Sequence, residues 1–118
     1  HRDAIDMKLN GVVPVVDLAR IYALRGRLAP VNTSARLGAA RAAGEISEAG
    51  GRDLIEAYDV IAQMRLEHQA GQVRAGERPD NFLPPSELGD LERRHLRGAF
   101  QVVRRMQSAA ATRGRGVS

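Results

Sequence analysis

The sequence has no cysteine and no tryptophan, and it contains only two tyrosines and two phenylalanines. Without cysteine, neither a disulfide framework nor a thiolate metal site can form. So few aromatic rings exclude the stacking platform on which single-strand nucleic-acid binders hold bases. No apolar run approaches the roughly 20 residues that span a bilayer, and the first residues do not resemble a secretion signal. We therefore expect a cytoplasmic protein with no membrane contact.

Lysine is also scarce, because Lys8 is the only one and arginine supplies the rest of the positive charge. The formal net charge is +4. Arginine excess is compatible with an anionic partner such as a phosphate, a nucleotide or nucleic acid. For any single arginine, a solvated helix face is the better explanation. No helix-turn-helix pairing is evident, so the sequence does not favour nucleic-acid binding.

The length of 118 residues is typical of one domain. Because the chain begins with histidine instead of methionine, we expect it to be part of a longer protein. Residues 1–11 are predicted to form an extended arm, which would be the truncated start of the domain. Residues 12–110 are predicted to form a helical bundle, and residues 111–118 a disordered Gly/Arg tail.

Hydrophobic periodicity and capping residues predict an all-α fold. The alternation of Ile5, Met7 and Leu9 with polar residues indicates a short strand or extended arm, which Gly11 should break. The expected architecture is an up-down bundle of about four helices, in which the second helix is a short connector. The predicted helices are Val13–Arg27, Ser34–Ala43, Glu48–Ala75 after a Ser47 cap, and a last one from a Ser86 cap to Ala110.

The sequence offers no set of residues for catalysis. It has no glycine-rich phosphate loop, no Gly-x-Ser-x-Gly elbow and no His-Glu-x-x-His pair. There are only three histidines, and no carboxylate cluster in the sequence surrounds His68 or His95. We therefore predict no catalytic residue and no metal site, so that this chain alone is not an enzyme.

Between Val12 and Leu24 the first helix is apolar except for Asp17 and Arg20, which lie three residues apart on one face. If that helix is buried, the two charges must pair with each other or line a cavity. The sequence does not decide between these alternatives.

Arg65 and His68 continue a stripe that begins with Leu54, Tyr58 and Ile61 at helical spacing. A face that should point to the core thus becomes polar and cationic. These residues lie either at the mouth of the bundle, at a partner surface, or in solvent where the helix extends past the core.

His95 lies in the apolar stripe between Leu91 and Ala99, so it is predicted to be a hydrogen-bonded core histidine. The arginines of the last helix occupy the opposite arc and are predicted to be a solvated surface.

The segment from Asp6 to Arg20 carries a resemblance to a known family. The segment contains, in order, the elements aspartate–x–lysine, glycine, and valine–aspartate–leucine–alanine–arginine. These elements resemble the substrate-binding domain of bacterial signal-transduction proteins. In those proteins the domain follows cyclic-nucleotide-binding, CBS and nucleotidyltransferase modules. More distantly, the segment is similar to the helical domain of glutamine-synthetase adenylyltransferase and PII uridylyltransferase. The same order continues through further short elements: Asn32-Thr33, Gly44-Glu45-Ile46-Ser47, Ala57-Tyr58, Arg65-Leu66-Glu67-His68-Gln69 and Pro79-Asp80-Asn81.

The resemblance implies a helical bundle packed against a separate catalytic domain of the same chain. The family's Gly-Ser and Asp-x-Asp motifs are absent, so a nucleotidyltransferase activity, with Mg²⁺ and a nucleoside triphosphate, would belong to the parent protein. Gly50-Gly51 departs from a stretch that is usually acidic. The resemblance also implies substrate-binding roles for seven residues: Lys8, Asp17, Arg20, Arg25, Arg65, His68 and Gln69.

In this interpretation Lys8, Arg20, Arg25 and Arg65 hold phosphates or an acidic protein substrate. Asp17 orients the arginines, whereas His68 and Gln69 supply hydrogen bonds. The alternative is a helical interaction module that relays signals from CBS or cyclic-nucleotide-binding domains, with a homodimer left open. A nucleic-acid-binding bundle is the weakest of the three hypotheses.

Overall fold

The computed structural model describes residues 4–26 and 32–116. These residues form a compact bundle of four α-helices with one small sheet, which confirms the predicted all-α fold. A π-helical turn precedes the first helix, and a 3-10 turn precedes the last. In chain order the elements are β1 (Ile5–Asp6), the π-helical turn (Lys8–Val12), α1 (Val13–Gly26), α2 (Thr33–Ala42), α3 (Glu48–Arg74), β2 (Phe82–Leu83), the 3-10 turn (Pro85–Glu87) and α4 (Asp90–Gly116).

The helix starts follow local capping chemistry. Asn32 caps α2, because its side-chain oxygen accepts a hydrogen bond of 2.8 Å from the N–H of Ala35. Ser47 caps α3 in the same way, accepting from the N–H of Gly50 at 3.0 Å. Each cap satisfies an N–H group that would otherwise lack a partner at the first turn. Gly44 follows α2 with φ of 75°, a left-handed conformation that favours glycine.

The three long helices alternate in direction. Helices α3 and α4 are antiparallel, since Asp53 near the start of α3 pairs with Arg105 in the second half of α4. Helix α1 runs in the same direction as α4, because Gly11, just before α1, lies near Phe100 while Arg25 near its end bonds Ala110. The short α2 packs against α1 and α3 and has the connector role that the sequence predicts.

The core lies between the three long helices and is almost wholly aliphatic. Burying a leucine or isoleucine side chain contributes about 1.5–3 kcal/mol, so this cluster provides the main stabilisation. Helix α2 contributes mainly Leu37, as its alanine-rich sequence predicts. The largest fully buried side chains are Met7, Val15, Leu37, Leu54, Ile61, Leu83, Leu96 and Val103.

The N-terminal arm contains a shorter strand than the sequence predicts. Of the arm's described residues, only Ile5 and Asp6 form a strand, which pairs antiparallel with β2. Met7 then turns inward and is fully buried, and its N–H bonds the carbonyl of Asn81 at 2.7 Å. The arm is therefore attached to the segment between α3 and α4.

Gly11 was expected to break the arm, and this prediction is wrong. Gly11 lies inside the π-helical turn, which continues directly into α1. A Cβ atom at this position would lie 2.7 Å from Cγ2 of Ile61 and 3.1 Å from the ring of Phe100. The glycine therefore permits the close approach of this turn to α3 and α4.

Helix α4 begins later and ends later than predicted. Ser86 does not cap it, because residues 85–87 form a 3-10 turn and Leu88 is extended, so the helix begins at Asp90. At the other end the helix continues past Ala110 to Gly116. The alanines at 109–111 are the strongest helix formers and favour this continuation. Residues 117 and 118 of the predicted tail lie outside the described residues, as does Arg27, the predicted end of the first helix.

None of the helices in the described ranges combines the length and the apolar character that crossing a bilayer requires.

Candidate functional site

A polar cluster, here called the clamp, joins α3 to the segment before α4. At its centre the ring of His68 is buried, with only 4% of the side chain exposed. Its Nδ1 lies 3.1 Å from a carboxylate oxygen of Glu87, and its Nε2 lies 3.1 Å from one of Asp80. The imidazole thus bridges two carboxylates from opposite sides. The residues of the clamp are Arg65, His68 and Gln69 of α3 with Asp80, Asn81 and Glu87.

Asn81 is the second anchor of the clamp. Its side-chain oxygen accepts a hydrogen bond of 2.7 Å from Nε of Arg65 and one of 3.3 Å from the amide of Gln69. The same amide of Gln69 donates to the carbonyl of Asp80 at 3.0 Å. These bonds hold the segment before β2 against α3. The polar continuation of the α3 stripe is thus explained by the chain segment that it binds.

The clamp shifts the titration of two of its groups. Burial opposes protonation of the His68 ring, but the hydrogen bonds to Asp80 and Glu87 outweigh it, so the pKa of His68 is raised above 6.5. The hydrogen bond from His68, followed by that from the N–H of Phe82, lowers the pKa of Asp80 below 3.8. Both shifts favour a charged imidazolium between two carboxylates.

Lys8 lies at the same end of the bundle as the clamp. It directly follows Met7, whose N–H bonds the carbonyl of Asn81. The side chain of Lys8 is exposed. Of the seven residues predicted to bind substrate, Lys8, Arg65, His68 and Gln69 are therefore brought to one end of the bundle.

Asp17 and Arg20 lie elsewhere, on the outer face of α1. The expectation that they would lie on a buried helix is wrong, because one side of α1 faces solvent and their side chains are 59% and 63% exposed. They form a local pair with 4.0 Å between the nearest charged atoms. An exposed pair at that separation contributes at most about 1 kcal/mol and needs no cavity.

Arg25 is far from the clamp. Its guanidinium donates to the carbonyl of Ala110 at 3.3 Å, near the far end of α4. Glu87 of the clamp lies three residues before the start of α4 at Asp90, and the helix rises about 30 Å from Asp90 to Ala110. A single triphosphate group could not contact both Arg25 and Arg65.

His95 is not a core histidine, which corrects the prediction. It is exposed on α4, as is Leu91 at 60%. The buried stripe of α4 begins at Leu96 and continues through Ala99 and Val103, and His95 lies beside it. His95 contributes to a groove between α3 and α4 that also contains the acidic residues Asp53 and Glu56.

The arginines on the first half of α4 line a second groove, which the sequence did not predict. This arginine groove has a volume of about 250 Å³. Two of its walls come from β1 and from the 3-10 turn that the clamp holds, so chain segments far apart in sequence build it. The sequence signal was the helical spacing of Arg93, Arg97 and Arg104, but without the walls it indicates only a solvated face. The lining residues are Ile5, Pro85, Leu88, Arg93, Leu96, Arg97, Phe100 and Arg104.

Within residues 4–26 and 32–116, no group of three or more histidine and carboxylate side chains could hold a metal ion. The carboxylates of Asp80 and Glu87 lie on opposite sides of the His68 ring and are held by it. The described residues therefore do not fit a magnesium site.

Residues 1–113 match the model of a family described as "Putative nucleotidyltransferase substrate binding domain". The chain belongs to this family. The match covers the π-helical turn, α1 to α3, all but the last three residues of α4, and the clamp, so the site residues lie within the family domain. Searches of curated proteins and of solved structures found no match. The name of the family describes substrate binding in association with a nucleotidyltransferase domain.

Proposed function

We propose that this chain is the substrate-recognition half of a two-part nucleotidyltransferase and holds an anionic substrate beside a separate catalytic domain of the same protein. The observation that supports this proposal is that Lys8 and Arg65 lie at the same end of the bundle, since Asn81 bonds both Arg65 and Met7, the residue before Lys8. Arg65 uses Nε for Asn81, which leaves its terminal nitrogens to bind phosphate or carboxylate oxygens.

In this proposal Lys8 and the α3 residues of the clamp have two different roles. Lys8 and Arg65 bind the anion, which is a nucleotide phosphate or an acidic protein acceptor. His68 and Gln69 position the segment after α3, since their hydrogen bonds go to Asp80, Asn81 and Glu87. General-base chemistry and the magnesium nucleotide belong to the catalytic domain, and no step is assigned to a metal in this chain.

The three α1 residues form a second contact in the proposal. Asp17, Arg20 and Arg25 cannot reach a small ligand at the clamp, because Arg25 lies about 30 Å away along the bundle. Their location on one helix suits a contact with the catalytic domain or with a distant part of a protein substrate. We place the whole protein in the bacterial cytoplasm, with cyclic-nucleotide-binding or CBS domains as its regulatory neighbours.

A second candidate function is that of an interaction module. Leu66 and Val73 on α3 are each 61% exposed. The two residues are seven positions apart, so they lie two turns apart on the same face of the helix. Exposed leucine and valine on one face suit docking of a regulatory domain or a second copy of the chain. Replacing both with glutamate should abolish regulation or dimerisation but leave basal nucleotide transfer unchanged.

The proposed function is tested by nucleotide incorporation in the full-length protein. Lys8→Ala and Arg65→Ala should each lower incorporation at subsaturating substrate by about tenfold, the loss from one charge-assisted contact. Arg20→Ala should reduce it less, because Arg20 is outside the clamp. Arg52→Ala is the matched control, since it removes an exposed arginine from the other end of α3. Unchanged nucleotide incorporation in both Lys8→Ala and Arg65→Ala would contradict the proposal.

A further inference from the structure

The arginine groove has an apolar base and a cationic edge. Leu88 and Leu96 are buried, and the ring of Phe100 is half-buried beside them. Arg97 and Arg104 are exposed and lie two helical turns apart on α4, about 10 Å along its axis. Such a surface offers a ring or other planar group apolar contact and offers an anion two guanidinium groups.

The charges of the groove are of one sign. Its only charged lining residues among those described are Arg93, Arg97 and Arg104. Arg93 is occupied, since its Nε donates to the carbonyls of Pro85 and Leu88 and so fixes the wall. Neither Arg97 nor Arg104 has an ion pair with a carboxylate in the described part of the chain, so both can bind an external anion.

Two other grooves of the bundle do not have only positive charges. The groove between α3 and α4 contains Asp53 and Glu56, which would repel an anion. The groove between α1 and α4 contains both Asp17 and Arg25, and Arg25 already donates to Ala110. An anion that also carries an apolar group therefore fits the arginine groove better than either of these.

We propose that the arginine groove binds a nucleoside phosphate, with the base against Phe100 and Leu96 and the phosphates between Arg97 and Arg104. The volume of about 250 Å³ is below the roughly 300–1,000 Å³ of most ligand pockets. The groove thus holds the base, while the phosphates lie at its exposed edge. This assignment rests on the proposed function and names a nucleotide as the substrate that the domain recognises.

The His68–Glu87 contact of the clamp supports the groove from behind its wall and does not itself bind the ligand. Glu87 belongs to the same 3-10 turn as the lining residue Pro85, and His68 holds Glu87 from α3. His68 is therefore a positioning residue for the wall of the groove. Substitution of His68 should weaken nucleotide binding indirectly, and most at a pH where the wild-type ring is protonated, whereas the loss in Arg97→Ala should not follow that titration.

Calorimetric titration of the 118-residue chain with ATP, inorganic triphosphate and adenosine tests the proposal. ATP should bind at least about tenfold more tightly than either part alone, because base and phosphates contact different surfaces. Arg97→Ala and Arg104→Ala should each weaken ATP binding by about three- to tenfold. Phe100→Leu keeps an apolar side chain and should weaken ATP but not triphosphate. Arg94→Ala removes an exposed arginine outside the groove and should change ATP binding by less than about twofold.

Several outcomes would overturn the assignment. Equal binding of triphosphate and ATP would show charge attraction without base recognition. An equal loss in Arg94→Ala would show that the net charge of α4, and not the groove, attracts the anion. If an acidic peptide bound at the same residues more tightly than ATP, the groove would have to be assigned to a protein acceptor instead of a nucleotide. If the chain does not bind ATP while Arg65→Ala still impairs the full-length protein, the groove assignment fails and the proposed function stands.

Discussion

His68 and Glu87 are joined across the end of the bundle, with 3.1 Å between Nδ1 of the imidazole and a carboxylate oxygen. On its other side the ring has the same 3.1 Å contact with Asp80. A neutral imidazole has one N–H and can donate to only one of these carboxylates, whereas the protonated ring donates to both. Keeping both hydrogen bonds, one to the 3-10 turn and one to the segment before β2, therefore requires a protonated ring.

This relationship predicts a pH-dependent stability. Because the pKa of His68 is raised in the folded protein, its contribution is fully present below the unfolded pKa of about 6.5. That contribution is lost as the pH rises through the folded value. The pKa of Asp80 is lowered, so its contribution is present above about 3.8 and is lost as the pH falls through the folded value. Urea unfolding should thus show maximal stability at mildly acidic pH.

His68→Gln should remove the decline above about pH 6.5, because glutamine has no proton to lose in this range. His95→Gln is the matched control, since His95 is exposed on α4 and should leave the profile of the wild type unchanged. A decline of equal size in His68→Gln would show that another group causes it.

The fold was predictable wherever its causes are local in sequence. Asn32 and Ser47 lie three residues before the N–H groups that they cap, so α2 and α3 were predicted nearly to the residue. The start of α1 at Val13 was predicted as well, but the π-helical turn before it was not. Gly11 lies in that turn where a Cβ atom would collide with Ile61, a contact that no local pattern reveals. The 3-10 turn that delays the start of α4 was not predicted either.

The candidate site was predicted only on its α3 side. Arg65, His68 and Gln69 have helical spacing and polar character, which indicated a face with a function. Their partners lie up to 19 residues away, beyond a turn whose path the sequence does not specify. The arginine groove was missed because Ile5 and Phe100 are distant in sequence and meet only through the pairing of β1 with β2.

Gly11→Ala should destabilise the protein by about 1–3 kcal/mol, because the added methyl group would collide with Ile61. Gly98→Ala in the interior of α4 provides the opposite control, as its Cβ would meet no atom within 4 Å. Alanine there should stabilise the helix by about 0.5–1 kcal/mol. The midpoint of urea unfolding measures both effects. An unchanged midpoint of urea unfolding in Gly11→Ala would show that the π-helical turn does not need to lie this close to Ile61.

Ser47→Ala should reduce the free energy of unfolding by about 1 kcal/mol, since the hydroxyl accepts the N–H of Gly50. Ser86→Ala should change it by less than about 0.5 kcal/mol, because Ser86 is exposed and α4 begins four residues later at Asp90. Thermal unfolding of the two variants compares them directly. A larger loss in Ser86→Ala would instead favour a cap at that residue.

The central claim is that the bundle recognises an anionic substrate at the end that carries the clamp. Amide chemical-shift mapping of the isotopically labelled 118-residue chain, titrated with a nucleoside triphosphate and then with an acidic peptide, tests it most directly. The account predicts shifts with at least one ligand in residues 5–11, 65–69 and 80–104, and few along α1. Shifts confined to α1, or no shift at millimolar concentrations of either ligand, would contradict the account.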